Sequence, residues 1–251
     1  MPTRPSAYPY QGASPSKSRM TKVLNDLGLA IVSGQFEQGS LLPGDAELTR
    51  RYDVSRTVVR EALKSLGAKG LVQPKARVGT SVRQRAAWNL FDPEVLIWHA
   101  QIGLSADFLK HLGEMRLALE PVGAALAAQR RSAADLKDLR AWTEMMAEPE
   151  ISPRDFVEAD LGLHLSVARA AGNPFLLSVS TLIEVALVAM LTVSSPAEEP
   201  DRLAESVAQH QAVIDAIEAG DARAAEAAMR VVVQVGIDRS QPGTEASAAS
   251  A

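Results

Sequence analysis

The sequence has no cysteine, so it can form neither disulfide bonds nor metal sites built from thiolates, and it suits a reducing compartment. Aromatic residues are also scarce, at 4% of the chain, although hydrophobic residues reach 47%. This composition supplies hydrophobic cores but favours helices over sheets. We therefore predict a mainly α-helical fold.

Long hydrophobic runs are lacking as well. The N-terminal stretch has no apolar core of the signal-peptide kind. The most apolar run, residues 179–193, is interrupted by Glu184 and is too short to cross a bilayer. We expect a soluble cytoplasmic protein with no membrane partner.

Charge is divided unevenly along the chain. Residues 1–85 contain 14 Lys and Arg against 6 Asp and Glu, whereas residues 86–251 contain 12 against 24. A length of 251 residues suits two domains rather than one. A basic head on an acidic body indicates a polyanionic partner for the head alone.

The basic N-terminal part, residues 1–85, is predicted to be an unstructured tail followed by a small domain. Residues 1–17 are rich in Pro, Ser and Gly and are predicted to be disordered. Residues 18–85 read as helix, helix, turn, helix and two short strands around a basic turn. This order predicts a winged helix-turn-helix with a small β-hairpin as its wing.

The acidic body begins after a connecting segment. Residues 86–103 are expected to form a linker and a helix whose aromatic residues, Trp88 and Trp98 among them, pack onto the second domain. Residues 104–239 read as six or seven helices, which predicts an antiparallel all-α bundle. Residues 240–251 are of low complexity and are predicted to form a disordered tail.

The third helix of the head carries an unusual helix start. Ser55 is a good N-cap, and Arg56, Thr57 and Arg60 follow it on the side opposite the apolar stripe. Cations at a helix N-terminus oppose the helix dipole, so this end is suited to an external anion such as DNA phosphate. A solvated helix with stray basic residues is the alternative.

Residues 31–82 resemble the DNA-binding domain of the GntR family of bacterial regulators, through the pattern "I..G...G..LP.E.EL....VSR..VREAL..L...GL......G..V". Asp45 stands where that family usually has Glu. Ala46 replaces a residue that is often a long polar chain near the phosphates, so one DNA contact is missing. The resemblance implies binding to double-stranded operator DNA as a homodimer. It assigns the DNA contacts to the helix start and to the wing: Ser55, Arg56, Thr57, Arg60, Lys75, Arg77 and Gly79.

Two of the four histidines in the chain stand where a metal site would need them. Asp160 and His164 lie at i,i+4 and leave one face of a helix, and His210 lies on an apolar stripe of a later helix. Buried carboxylate and imidazole groups must be paired or bound to metal. An ordinary Asp–His helix pair with an unrelated buried histidine is the alternative.

Three stretches in residues 104–235 resemble the landmarks of the FCD effector domain, which defines the FadR branch of the GntR family. They are EMRLALEPVGAALAA, EADLGLHLSVARAAGNPFL and AQHQAVIDAIEAGDARAAEAAMR. The resemblance implies a divalent metal held by Asp160, His164 and His210. The fourth ligand of many members falls at Val232 here, so a three-ligand site for Zn²⁺, Ni²⁺ or Mn²⁺ is implied.

Arg116 and Ser206 are the candidate effector ligands. Arg116 shares a helix face with Leu112 and Leu119, and an inward guanidinium needs an anion, which is either an effector carboxylate or Glu120 at i,i+4. The resemblance favours the effector. Ser206 lies one turn before His210 and offers a hydroxyl.

We predict a transcriptional repressor that a small hydroxy-carboxylate releases from its operator. The motif WNLFDPEVLIW is similar to that of sugar-acid repressors, which favours a hexonate. Another small carboxylate, lactate-like or an amino acid, is the alternative effector. A metal-dependent enzyme is the rival class, because three ligands with an open position also describe catalytic sites. An enzyme would have no use for a basic winged domain, so we predict that the protein is not an enzyme.

Overall fold

The computed structural model describes residues 19–240. These residues divide into two compact units, the first ending at Gly103 and the second beginning at Leu104. The predicted tail at residues 1–17 lies outside the described residues, as does the predicted tail at residues 240–251 except for Ser240. Ser240 is the last residue of the final helix, so the tail cannot begin there as predicted.

The described part of the first unit is a winged helix-turn-helix. Its two strands pair antiparallel with Val72 opposite Val82 and Lys75 opposite Gly79, and Leu41 adds an isolated bridge to Ser81. The predicted order of helices and hairpin is confirmed. Its elements are α1 (Arg19–Val32), α2 (Asp45–Tyr52), α3 (Arg56–Ala68), β1 (Val72–Lys75), β2 (Gly79–Val82) and α4 (Pro93–Gln101).

Helix α3 begins as its sequence predicts. The Ser55 hydroxyl accepts a hydrogen bond from the backbone N–H of Val58 at 3.3 Å, and the buried stripe of α3 packs against α1. The N-cap of α2 is Gly44, and Asp45 is its first helical residue. The carboxylate of Asp45 in that first turn complements the helix dipole.

The prediction that residues 86–103 pack onto the second domain is wrong for both tryptophans. Trp88 and Trp98 belong to the buried core of the first unit, where α4 packs on α1. For Trp98 the reason is Gly28 on α1, since a Cβ there would lie 2.6 Å from the Trp98 ring. The glycine leaves a hole that the indole fills.

The described part of the second unit is the predicted helical bundle. Side-chain oxygens cap four of its helices, at Ser105, Ser132, Ser152 and Asn173. The helices are α5 (Ala106–Arg130), α6 (Ala133–Met146), α7 (Pro153–Ala170), α8 (Pro174–Ser178), α9 (Ser180–Val193), α10 (Pro200–Ala219) and α11 (Ala222–Ser240).

The apolar stretch at residues 174–193 forms two helices, α8 and α9. The Ser178 hydroxyl donates to the Pro174 carbonyl at 2.7 Å, which offers the backbone an alternative to the helical pattern at this point. The stretch Ser180–Glu198 is long and apolar enough to cross a membrane by length and composition, contrary to the expectation from residues 179–193. Core helices share this property, and Leu182, Ile183 and Leu187 are buried in the protein.

Helix α5 is the element around which the bundle is arranged. It packs against α7, α9, α10 and α11, so side chains from several helices converge on its inner face. Arg116 and Glu120 come from α5, whereas the predicted metal ligands come from α7 and α10.

Candidate functional site

The start of α3 presents the donors that the sequence predicted. Arg56, Thr57 and Arg60 are all exposed beyond the Ser55 cap. Arg60 is not entirely free, because its Nε lies 3.2 Å from Asp45 Oδ2. Both side chains are exposed, so this ion pair is weak and can exchange for a phosphate.

The wing faces the same groove as α3. Thr57 and Arg60 line one side of it, and Lys75, Arg77 and Gly79 line the other. Arg77 has a left-handed backbone (φ 61°), and Gly79 has a φ of 132°, where glycine is favoured. The hairpin turn therefore places its basic side chains beside the helix start.

The groove also contains residues that the sequence prediction missed. Lys64 and Arg83 line it, and Lys64 Nζ lies 2.7 Å from Glu61 Oε1. The signal for Lys64 was its place two turns beyond Thr57 on the same side of α3.

In the second unit, α7 and α10 bring Asp160, His164 and His210 together. All three are buried, and their ligand atoms lie within 4.8 Å of one another. His210 Nε2 is 3.1 Å from Asp160 Oδ1, and His164 Nε2 is 3.9 Å from Asp160 Oδ2. The two imidazole rings meet edge to face, with centroids 5.6 Å apart.

In each imidazole, Nδ1 forms a hydrogen bond away from Asp160. These bonds determine that Nδ1 carries the proton and that Nε2, which faces Asp160, does not. His210 Nδ1 lies 2.7 Å from the Ser206 carbonyl, which can only accept, so Nδ1 carries the proton. His164 Nδ1 likewise donates to Glu120 Oε2. In the neutral tautomer, both Nε2 atoms then point lone pairs towards Asp160.

This arrangement leaves three buried atoms without hydrogen-bond partners: Asp160 Oδ2, His164 Nε2 and His210 Nε2. A proton on one imidazole would satisfy one contact with Asp160, whereas a divalent cation would satisfy all three atoms together. Two imidazoles and one carboxylate are ordinary ligands of Zn²⁺, Ni²⁺ and Mn²⁺. The residues therefore fit a metal ion.

Glu120 is the main residue beside the candidate metal ligands that the sequence prediction did not connect with them. Its Oε1 accepts from Arg116 Nε at 2.5 Å, and its Oε2 accepts from His164. The alternative partner foreseen for Arg116 is thus the one observed. A carboxylate behind a metal-binding imidazole fixes its tautomer and ring orientation.

The carboxylates of Glu120 and Asp160 are both ionised at neutral pH. Burial alone would raise the pKa of Glu120, but Arg116 and His164 outweigh it and lower the pKa from 4.5 to about 2. Burial would also raise the pKa of Asp160, but His210, His164 and Arg116 hold it below its usual value. Arg116 and Glu120 pair with each other, so Asp160 is the carboxylate that a cation among the three candidate ligands would meet.

A cavity of about 30 Å³ adjoins the three candidate ligands. Arg116, Ser206 and Val232 line it, so the structure brings both predicted effector residues and the apolar substitute for a fourth ligand to one place. The cavity has room for two or three water molecules, at about 10–15 Å³ each. Arg239 of α11 also lines the cavity and was not predicted.

Two family models match the chain. The model of bacterial regulatory proteins of the gntR family matches residues 20–82, and the FCD domain model matches residues 111–234. The two matches cover the winged unit and most of the helical bundle.

Curated relatives match along both units. The uncharacterised HTH-type transcriptional regulator YieP of Escherichia coli is 36% identical over 83% of this chain and 89% of its own length. The galactonate operon transcriptional repressor of E. coli is 31% identical over 86% of this chain and 94% of its own. The repressor NanR of Cronobacter sakazakii is 30% identical over 83% and 80%.

Solved structures share the fold at lower identity. Lar of Listeria monocytogenes is 19% identical, with a TM-score of 0.59 over 89% of this chain and 97% of that one. McbR/YncC of E. coli is 20% identical, with a TM-score of 0.50 over 88% and 96%.

Proposed function

This chain belongs to the GntR family of bacterial transcriptional regulators that carry an FCD domain, and we propose that it is a metal-containing repressor released from its operator by a small hydroxy-carboxylate. Its family and relatives are DNA-binding regulators and not enzymes, so the rival prediction of a metalloenzyme is set aside. The observation that carries the sensing function is the buried triad with three unsatisfied ligand atoms beside a cavity.

Operator DNA is the partner of the winged unit, and we propose that it is bound by a homodimer. One winged unit offers one helix start and one wing, which reads a half-site, and a two-fold dimer reads a palindromic operator. The contacts are assigned to the exposed groups of α3 and the wing: Ser55, Arg56, Thr57, Arg60, Lys75, Arg77 and Gly79.

Arg56 is expected to contribute sequence preference as well as affinity. If Arg56 reads a guanine with both guanidinium nitrogens, Arg56→Ala weakens operator binding by about 1–3 kcal/mol and relaxes sequence preference. Fluorescence anisotropy with operator and scrambled DNA at physiological salt measures both quantities. Arg51→Ala is the matched control, since Arg51 is also an exposed arginine but lies over Tyr52 on α2. If Arg56→Ala and the parent bind the operator with equal affinity, Arg56 does not contact the operator bases.

For the bundle, we assign the metal ligands to Asp160, His164 and His210, with Zn²⁺, Ni²⁺ or Mn²⁺ as the ion. A divalent ion there would supply open coordination positions for carboxylate or hydroxyl oxygens. Such an ion, beside the arginines that line the cavity, would make the site attractive to a carboxylate. A neutral sugar has no charge to offer it.

A hexonate such as galactonate is the effector we favour, because a relative 31% identical along both units is named as the galactonate operon repressor. Ser206 lines the cavity and offers a hydroxyl, and Arg116 lines it while its Nε is held by Glu120. Sites for ligands of drug-like size measure about 300–1,000 Å³. A hexonate therefore has to widen this cavity.

The need to widen the cavity links effector binding to release. The cavity is walled by side chains from α5, α7, α9, α10 and α11, so its expansion changes how these helices pack. A ligand shifts a conformational equilibrium only by its difference in affinity for the two states. The expanded bundle is thus the state that the effector stabilises, and it must be the state that binds operator poorly.

The small volume of the cavity also favours the second candidate, a shorter carboxylate such as lactate. A titration separates the two candidates. Galactonate, lactate, amino acids or neutral galactose are titrated into the complex of parent protein with labelled operator, and fluorescence anisotropy is measured. We expect galactonate to dissociate the complex and galactose to have no effect. Release by lactate alone would replace the hexonate with the shorter acid, and release by no carboxylate would contradict the proposed function.

A further inference from the structure

The cavity is lined by two arginines that differ in how their charges are used. Arg116 is 2% exposed and bonds Glu120, which is 4% exposed, at 2.5 Å. Its Nη1 also contacts the Met190 sulfur at 3.6 Å. A buried, bonded pair of this kind has no net charge to offer an incoming anion.

Arg239 is the arginine whose charge is poorly compensated. Its side chain is only 18% exposed, yet the one carboxylate within 4 Å of it in the described residues is Glu205, whose Oε2 lies 3.5 Å from Nη2. Glu205 is 60% exposed, and its other oxygen accepts from Gln209 at 3.0 Å. A long contact to a solvated carboxylate compensates a desolvated guanidinium poorly.

Arg239 also stands on the side of the cavity that is free of metal ligands. Val232, Gly236 and Arg239 line it from successive turns of α11. Val232 offers no ligand atom and Gly236 has no side chain, so neither supplies a group that would compete with an anion for Arg239.

We propose that Arg239 is the residue that binds the carboxylate of the effector and that Glu205 competes with the effector for it. This inference rests on the proposed sensing function and adds to it the anion-binding group. Arg116 then acts as a positioning residue, which holds Glu120 and through it His164.

The test uses full-length protein and isothermal titration with sodium galactonate, with metal content measured on the same samples. Arg239→Gln should keep the metal and the operator affinity of the parent but bind galactonate about 10- to 100-fold more weakly, the usual loss for a charge-assisted hydrogen bond. Glu205→Gln should bind galactonate a few-fold more tightly, because the competing carboxylate is gone. Arg230→Gln is the control, since Arg230 is exposed on α11 and pairs with Glu226 there.

The opposite signs expected at Arg239 and Glu205 separate anion binding from a structural role. Unchanged galactonate affinity in Arg239→Gln, or weaker binding in Glu205→Gln, would overturn the inference. If the parent binds lactate but no hexonate, the hexonate proposal fails, and loss of lactate binding in Arg239→Gln would still support Arg239. If the parent binds no carboxylate of the panel, both proposals fail.

Discussion

Alanine in place of His210 is expected to leave the purified protein without divalent metal and to lower its melting temperature. His210 Nε2 lies 3.1 Å from Asp160 Oδ1, in a site where all the side chains are buried. Its removal leaves a buried carboxylate facing one imidazole, and breaking such a buried pair costs about 3–5 kcal/mol. At roughly 2–4 °C per kcal/mol, the melting temperature should fall by several degrees or more.

The measurement is elemental analysis together with thermal unfolding, with and without a chelator. The chelator should lower the melting temperature of the parent and leave that of His210→Ala unchanged, because bound ligand stabilises the folded state only. His111→Ala is the matched control, since His111 is exposed on α5. A parent that contains no metal and is not stabilised by Zn²⁺, Ni²⁺ or Mn²⁺ would refute the metal site.

A substitution at Val232 tests the metal-site hypothesis in the opposite direction, by adding a ligand. Its side chain lines the cavity beside the triad, at the position where the resemblance places a fourth ligand. Val232→His should therefore bind the metal more tightly than the parent. A buried imidazole without metal would be costly there, so the variant should also depend more strongly on metal for its stability.

The parts of the site that the sequence predicted are those governed by local geometry. Ser55 could be assigned as a cap because its partner, Val58, is three residues away. Asp160 and His164 could be placed on one face because helical spacing puts them there. The meeting of His210 with Asp160 is different, because it joins two helices and came from the family resemblance and not from spacing.

The contacts that the sequence prediction missed join residues that are far apart in the chain. Glu120 meets His164 across 44 residues of chain, and nothing in either helix alone indicates that contact. The direction in which Trp98 packs depends on Gly28, some 70 residues earlier, which could have been noticed only as a glycine inside a helical pattern. Arg239 was overlooked because its distance from the cavity depends on how α11 packs on α5.

Glu120 allows a sharper prediction than the metal ligands themselves, because two buried donors share its two oxygens. Arg116 Nε–H donates to Oε1 and His164 Nδ1–H donates to Oε2. A glutamine has one oxygen and one NH₂ group, so one of the two donors must then face another donor. Glu120→Gln also leaves the Arg116 guanidinium buried without its anion.

Glu120→Gln is therefore expected to lower the free energy of unfolding by about 3–5 kcal/mol, as for a buried ion pair that loses one partner. It should also bind metal about 10- to 100-fold more weakly, as when the carboxylate that supports a metal-bound histidine is lost. Urea unfolding and metal titration measure the two effects, and Glu114→Gln on the exposed face of α5 is the control. Adding Arg116→Met should restore part of the stability, because the amide oxygen can then serve His164 alone and no bare cation remains. A double variant less stable than Glu120→Gln would show that Arg116 contributes packing beyond its bond to Glu120, and the explanation by donor conflict would fail.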